Sequence, residues 1–445
     1  MAFSLLSILV VILWIVIGTS RLKIHPFLVL FSGALFLGFL LGITPVETLK
    51  LIQQGLGKII QNIGLLILFG TVIGVSLEES KGTLAIAQGV LRYLGRLPLP
   101  YAISFIGYIV SIPVFCDAAF VILSHLNKTL SRQTKTPLVG LTVALSTGLF
   151  APHVLVPPTP GPLAAASNLE LENLLLLIVV GATIALILII VGGAYGHYLI
   201  KKHPTQSEQI SHETNEEKSI KSLPDFKSAL LPILIPIGLM GLGAVIKFIP
   251  FKGVFFDFIL LLTQPTFALA VGMLFAFRLA RTQRKDFVNT SLNKGIKQAA
   301  PILIITGMGG ALGSIIQTIP LQNIAQSLSS YDALGIVIPF LIAALLKTAQ
   351  GSSTVAIITT SSIVFPLLPL LQLDSEMGKV WVIMSLGVGS MTISHANDSY
   401  FWIVSQMSGM DVKTAYRTHT VGTFIQGVVG LVVVLIGYYL WSFLF

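Results

Sequence analysis

Apolar residues along this chain fall into long runs separated by short polar stretches. A run of about 18 apolar residues can cross a bilayer as a helix, and such runs occupy residues 2–19, 27–43, 59–77, 174–199, 229–246, 255–277 and 421–445. The pattern predicts an all-α polytopic membrane protein. The opening "MAFS" carries no basic side chain, and no small-residue cleavage site stands out after it, so 2–19 is expected to be a retained helix. Arg21 and Lys23 follow that run; because basic loops favour the cytoplasm, they predict an N-terminus outside.

One stretch departs from the pattern. Residues 201–227, "KKHPTQSEQISHETNEEKSIKSLPDFK", are polar and almost free of large apolar side chains. They offer too little burial to offset their ordering entropy, so a linker is expected. Lys201 and Lys202 abut the preceding run, which favours a cytoplasmic linker. It divides the chain into two membrane halves, 1–200 and 228–445.

The halves echo one another. "LLILFGTVIGVSL" from Leu65 resembles "ILIITGMGGALGSI" from Ile302, which pairs Gly70 with Gly307 at an offset of 307 − 70 = 237. Near that offset "IVSIPVFCDAAF" meets "ALLKTAQGSST", and "LFAPHVLVPPTP" meets "SMTISHANDSY", bringing His153 opposite His395. Loop charges give the echo a direction. Arg21 and Lys23 follow the first run, whereas Arg278, Arg281, Arg284 and Lys285 follow the second run of the later half. Placing the more basic loops inside makes the halves opposite in orientation. Each half also contains two interruptions. Pro113 lies inside an apolar run, and Pro157, Pro158, Pro160 and Pro162 crowd "VPPTPGP"; "TAQGSSTV" and "SHANDSY" are the later counterparts. Proline removes a backbone donor and pushes its predecessor out of helical geometry. Non-helical backbone at membrane depth survives only where it is buried in protein or lines a cavity. The expected fold is therefore two inverted-topology repeats whose broken or re-entrant helices meet near the bilayer midplane.

Composition changes little in this picture. The chain is 54% hydrophobic and only 10% charged, and its formal net charge of +9 comes from basic residues in short loops. Such loops set orientation, so nucleic acid is not expected as a partner. The single Cys116 excludes an intramolecular disulfide.

Candidate chemistry collects at the interruptions. Asp117 lies between "IPVFC" and "AAFVIL", and an ionisable group inside a span is a functional candidate, although aspartate also caps helices well. Lys347 could snorkel from a helix end, but small hydroxylated residues follow it, not a charged loop. Beside Gly351, Ser352, Ser353 and Thr354 it suits a carboxylate. His153, His395 and Asp398 are candidates for carrying a proton, the histidines because they titrate near neutral pH. Ser394, Asn397 and Ser399 are suited to hydrogen bonding with substrate or freed backbone, and Pro158 and Thr159 are expected to face the site from the first half. Glu78 and Glu79, at the end of a run, are expected in a solvated loop. The chain has no G-x-x-x-x-G-K-[ST] and no H-E-x-x-H, which argues against an ATP-driven pump and an intramembrane metalloprotease. The glycines of "TGMGGALGS" follow no soluble strand and read as close helix packing. No cofactor and no metal are expected.

The segments "PVFCDAAFVIL", "HVLVPPTPGPLAAA", "AQGSSTVAIIT" and "SHANDSYFW" resemble, in order and spacing, those of the gluconate permease family, the gluconate:proton symporters. The resemblance runs from about residue 8 to the C-terminus and is weakest in the linker. It implies a bacterial inner-membrane carrier, not an enzyme, that imports gluconate or a related hydroxy acid with protons; some members handle glycerate or D-serine. This chain departs from the family's pattern at Cys116, Ala118, Ser353 and Tyr400, and in "APH" before "VLVPP", which bears on the particular substrate. On this reading Lys347 and residues 351–354 hold the carboxylate, with Pro158 and Thr159 opposite. Ser394 and Asn397 read hydroxyls, and Asp117, His153, His395 and Asp398 carry the proton. A sodium-coupled carrier of another organic acid or of D-serine is the nearer alternative, because Asp117 and free carbonyls would also suit Na⁺. A membrane-embedded enzyme using His395 and Asp398 is the distant one. Both termini are expected outside. A homo-oligomer, the proton stoichiometry, and rocking against sliding motion stay open at this stage.

Overall fold

The computed structural model describes residues 6–7, 10–11, 13–15, 17–18, 21–94, 97–202, 223–246, 253–280, 284–316, 318, 335–396 and 398–444. Most of the polar segment, residues 203–222, and Asn397 lie outside the described residues. The secondary structure described is helical throughout.

Fragments of a first helix lie between residues 6 and 18. Then α1 (Pro26–Leu40) and α2 (Pro45–Glu79) follow. Each begins with proline in its first turn, where the missing N–H costs nothing, and Thr44 caps α2 by accepting from the Glu47 N–H. Next come α3 (Gly82–Leu94), α4 (Leu99–Ser111), α5 (Cys116–Thr134), α6 (Leu138–Leu155), α7 (Pro160–Asn168) and α8 (Leu174–Lys202). The later half holds α9 (Phe226–Ile246), α10 (Val254–Thr263), α11 (Pro265–Phe277), α12 (Arg284–Ile316), α13 (Val337–Gln350), α14 (Ser353–Val364), α15 (Glu376–Met391) and α16 (Ser399–Ser408). The short α17 (Val412–Ala415), a π-turn at Tyr416–Thr420 and α18 (Val421–Leu444) complete it.

The element order recurs. The series α2, broken pair α4/α5, broken pair α6/α7, α8 returns as α12, α13/α14, α15/α16, α18. The long helices α2 and α12 pack at glycine. A Cβ on Gly55 would sit 2.8 Å from Ala311 Cα, so only glycine permits this approach. The innermost helices are also a matched pair. Every residue of α6 from Gly140 to Leu155 is buried, as is α15 from Val380 to Met391. Outer helices instead show apolar residues to their surroundings, among them Val179, Ile190, Leu234, Phe424 and Ile436. Among the described residues six helices are long and apolar enough to cross a membrane. The architecture is the expected polytopic one, with its inverted repeats and broken helices.

Three local expectations change. The run 255–277 is two helices, because Gln264 takes an extended conformation (ψ 137°) ahead of Pro265. Glu78 and Glu79 form the last turn of α2, not a loop, and Glu79 pairs with Lys294 of α12 at 2.5 Å. His153 and His395 are not equivalent. The former lies inside α6, whereas the latter lies past the end of α15 in the interruption itself.

Candidate functional site

The four interruptions lie at 112–115, 156–159, 351–352 and 392–398, and each is followed by a helix whose N-terminus starts there: α5, α7, α14 and α16. The local causes differ. Gly351 ends α13 in the left-handed region (φ 89°), a conformation that costs glycine nothing, and Ser352 then caps α14 by accepting from the Val355 N–H. Asp398 caps α16, its Oδ1 accepting from the Tyr400 N–H at 3.0 Å. Between α6 and α7 the prolines interrupt the helix, and the Thr159 hydroxyl donates to the Val156 carbonyl at 2.6 Å.

Cross-contacts bring the interruptions together. Lys347 Nζ donates to Asp398 Oδ2 at 2.5 Å and to the Gly351 carbonyl at 3.0 Å. The lysine is 0% exposed and the aspartate 5%. Ser394 Oγ donates to the same Asp398 oxygen at 2.6 Å. Asp398 thus ties α13, α15 and α16 into one knot. His395 Nε2 lies 2.9 Å from the Thr348 carbonyl. From the first half, Asp117 Oδ2 accepts from the Ser399 hydroxyl at 3.2 Å, joining α5 to α16. The N-cap of α5 is Phe115, so Asp117 sits in the first turn and does not cap it. The Phe115 ring packs on His153, centroids 6.1 Å apart. On the other side, a Cβ on Gly161 of α7 would lie 3.0 Å from Ile357 Cδ1 of α14.

The structure therefore brings Asp117, Lys347, Gly351, Ser394, His395 and Asp398 together, with Ser352, Ser353 and Thr354 half-buried beside them in the first turn of α14. Pro158 points elsewhere. It lines a small apolar recess with Pro113, Ile73, Pro232 and Pro236, a lining that offers an anion nothing. Lys347 is also not a free cation, since its counter-charge is the aspartate assigned from sequence to the proton. Among the described residues no group of three or more His, Cys, Asp or Glu is placed to hold a metal ion.

Sequence reasoning missed His419 and Ser146, and marked Tyr400 only as a departure from the family's pattern. His419 is fully buried in the π-turn, with Nε2 3.1 Å from Ser394 Oγ and Nδ1 3.1 Å from Ser146 Oγ. The Tyr400 hydroxyl donates to the Ser146 carbonyl at 2.9 Å, and its ring packs among Phe120, Phe150 and His419. The signal available was "YRTHTVGTF", a histidine at the mouth of the last apolar run; its buried placement comes from the π-turn, which sequence does not announce.

Comparison with known proteins gives this geometry a context. The chain is 31% identical over 450 residues to an uncharacterized permease of Haemophilus influenzae, covering 97% of this chain and 91% of that one. It is 30% identical to a gluconate permease of Pseudomonas aeruginosa, covering 98% and 97%, and 28% identical to the D-serine transporter DsdX of Escherichia coli, covering 96% of each. Among solved structures, the YdaH transporter of Alcanivorax borkumensis superposes with a TM-score of 0.62 at 13% identity over 88% of each chain. MtrF of Neisseria gonorrhoeae superposes with a TM-score of 0.56 at 13% identity, over 86% of this chain and 83% of that one. These two speak to the fold alone. The profile of the GntP family permeases matches residues 3–440. The chain belongs to the GntP family: it is a multi-pass membrane permease and not an enzyme.

Proposed function

We propose that this permease imports gluconate or a related small hydroxy acid by proton symport across a bacterial inner membrane. Relatives named as gluconate permeases support the substrate class. The observation that carries the mechanism is the buried Lys347–Asp398 pair at the meeting point of the interrupted helices. A lysine with no solvent needs an anionic partner. While Asp398 is ionised it fills that place. A proton on Asp398 removes the counter-charge and leaves Lys347 to take a substrate carboxylate, aided by the N-terminal ends of α14 and α16. Proton and anion then enter together because each makes room for the other. Ser353, Thr354 and Asn397 are the groups left to read substrate hydroxyls.

The membrane potential makes this coupling useful. A monovalent anion entering an inside-negative cell meets about 2.3 kcal/mol per 100 mV, and one accompanying proton cancels that charge. In this reading residues 1–200 and 228–445 are the two repeats, the linker is cytoplasmic and both termini are outside.

The test is uptake of labelled gluconate into proteoliposomes with the interior alkaline, with and without protonophore. Accumulation that collapses with protonophore supports the proposal. Uptake that ignores the pH gradient but follows Na⁺ at fixed pH refutes proton coupling. Uptake of labelled D-serine with no uptake of gluconate refutes the substrate class.

A further inference from the structure

We propose that His419 is the proton-loading residue of this carrier, delivering its proton through Ser394 to Asp398. The inference rests on the proton-symport reading above and assigns the route by which Asp398 is protonated.

The geometry is a continuous chain of hydrogen-bonding groups. It runs from Ser146 Oγ to His419 Nδ1 at 3.1 Å, from His419 Nε2 to Ser394 Oγ at 3.1 Å, and from Ser394 Oγ to Asp398 Oδ2 at 2.6 Å, ending on Lys347 at 2.5 Å. Every link is buried. The chain accommodates two protonation states without moving a heavy atom. Ser146 Oγ lies 3.1 Å from both the Val143 carbonyl and His419 Nδ1. When His419 is doubly protonated, its Nδ1–H donates to Ser146 Oγ and the serine hydroxyl points to Val143. When His419 carries only Nε2–H, the serine hydroxyl turns and donates to Nδ1. The rotating hydroxyl therefore serves loading, the arrival of a proton at Nδ1, whereas release takes place at Nε2. In each state the Nε2–H meets Ser394 Oγ, whose own proton faces the carboxylate.

Transfer balances simply. The doubly protonated ring gives its Nε2 proton to Ser394 Oγ, and Ser394 passes its original proton to Asp398 Oδ2. Asp398 becomes neutral, its ion pair with Lys347 is lost, and His419 is left as the neutral Nδ1–H tautomer, a third state in which Nδ1–H still donates to Ser146 Oγ. Net movement is one proton from ring to carboxyl.

Two features hold the ring in register. It sits in a five-residue π-turn, Tyr416–Thr420, a conformation that recurs at functional sites. Thr420 Oγ1 donates to the Ser394 carbonyl at 2.6 Å and Thr423 Oγ1 of α18 accepts from the Ser394 N–H at 3.2 Å, so the turn and the start of α18 together fix the serine. The charges that reach the ring are Asp398 and Lys347. The other ionisable groups on elements packed against it are Tyr400 of α16, His153 of α6, Lys413 of α17, Tyr438 and Tyr439 near the far end of α18, and Tyr416 and Arg417 of its own turn.

The experiment compares wild type with His419→Gln and Ser146→Ala in proteoliposomes containing a trapped pH dye. It records gluconate-dependent proton influx and gluconate uptake from pH 5 to 8. Glutamine can bridge both serines but cannot load and release a proton. For His419→Gln, gluconate-driven proton influx should fall about a hundredfold, the scale of a lost positioned proton-transfer group, and the remaining uptake should lose its pH dependence. Ser146→Ala removes the rotor and should flatten the pH profile in the same direction, which serves if the glutamine variant does not fold. A wild-type pH profile in either variant overturns the inference. If wild type itself shows no gluconate-driven proton influx, the symport reading fails first, and the two failures are thereby told apart.

Discussion

Replacing Asp398 by asparagine tests whether Lys347 depends on it. Asparagine keeps the shape, still accepts from the Tyr400 N–H as the cap of α16, and removes only the charge. Lys347, with 0% exposure, then loses its counter-charge and keeps the Gly351 carbonyl at 3.0 Å. Removing one partner of a buried ion pair costs about 3–5 kcal/mol, whereas removing both costs much less because no orphan charge remains. At about 2.1 cal/mol/K of unfolding entropy per residue, 445 residues carry about 0.9 kcal/mol/K. The loss is then about 3–5 °C in Tm. The chain supplies its own reporter, since its single cysteine, Cys116, is 4% exposed and becomes reactive toward a fluorogenic maleimide on unfolding. Asp398→Asn and Lys347→Met should each lower Tm by that amount. The double variant should lie closer to wild type than either single variant, not at their sum. Additivity to within about 0.5 kcal/mol would mean that the two side chains do not depend on each other, and would refute the reasoning.

Other expectations concern packing. Gly107→Ala would place a methyl 2.7 Å from the Gly148 carbonyl carbon and the Leu149 nitrogen, backbone that cannot yield, so α4 and α6 must separate. A marked loss of folded yield is expected in size-exclusion chromatography. Asn168 Nδ2 reaches the Ile358 carbonyl at 3.1 Å, Ser361 Oγ at 2.8 Å and Ser362 Oγ at 3.0 Å, pinning α7 to α14. Asn168→Ala should cost about 1–3 kcal/mol, read as a lower Tm in the same thiol assay. By contrast Lys58→Ala should leave Tm nearly unchanged. Its 2.5 Å pair with Glu170 is roughly half exposed on both sides, and such pairs contribute about 0–1 kcal/mol.

The sequence makes the interruptions legible because their causes are local. Proline at 113, 157 and 158 and glycine at 351 act on the backbone wherever they stand. The outer helices are legible for a similar reason, since lipid demands apolar side chains all round. The inner helices are less so. Because α6, α14 and α15 are buried in protein, they accept Ser146, Thr359, Thr360, Ser361 and Ser385, and no uniformly apolar run marks them. Partner choice is the least legible level. Lys347 and Asp398 stand 51 residues apart, and each was assigned a separate role from its own neighbourhood. Only the fold shows that they neutralise one another. His419 escaped for the same reason, because its partners Ser146 and Ser394 come from α6 and from the interruption before α16.

The paired repeats have a further consequence. In an inverted duplication, letting each half adopt the other's conformation generates the opposite-facing form of the same carrier. If the two halves were chemically alike, those forms would be equal in energy. Here they are not alike. The first half brings Asp117 to the centre, while the second brings Lys347, Asp398 and His419. Exchange of conformations therefore moves an uneven set of charges through equivalent shapes. The scaffold is symmetric between the two sides of the membrane, but its electrostatics are not. Resting preference, and with it the side on which the empty carrier waits, is set by a handful of side chains and not by the architecture that carries them.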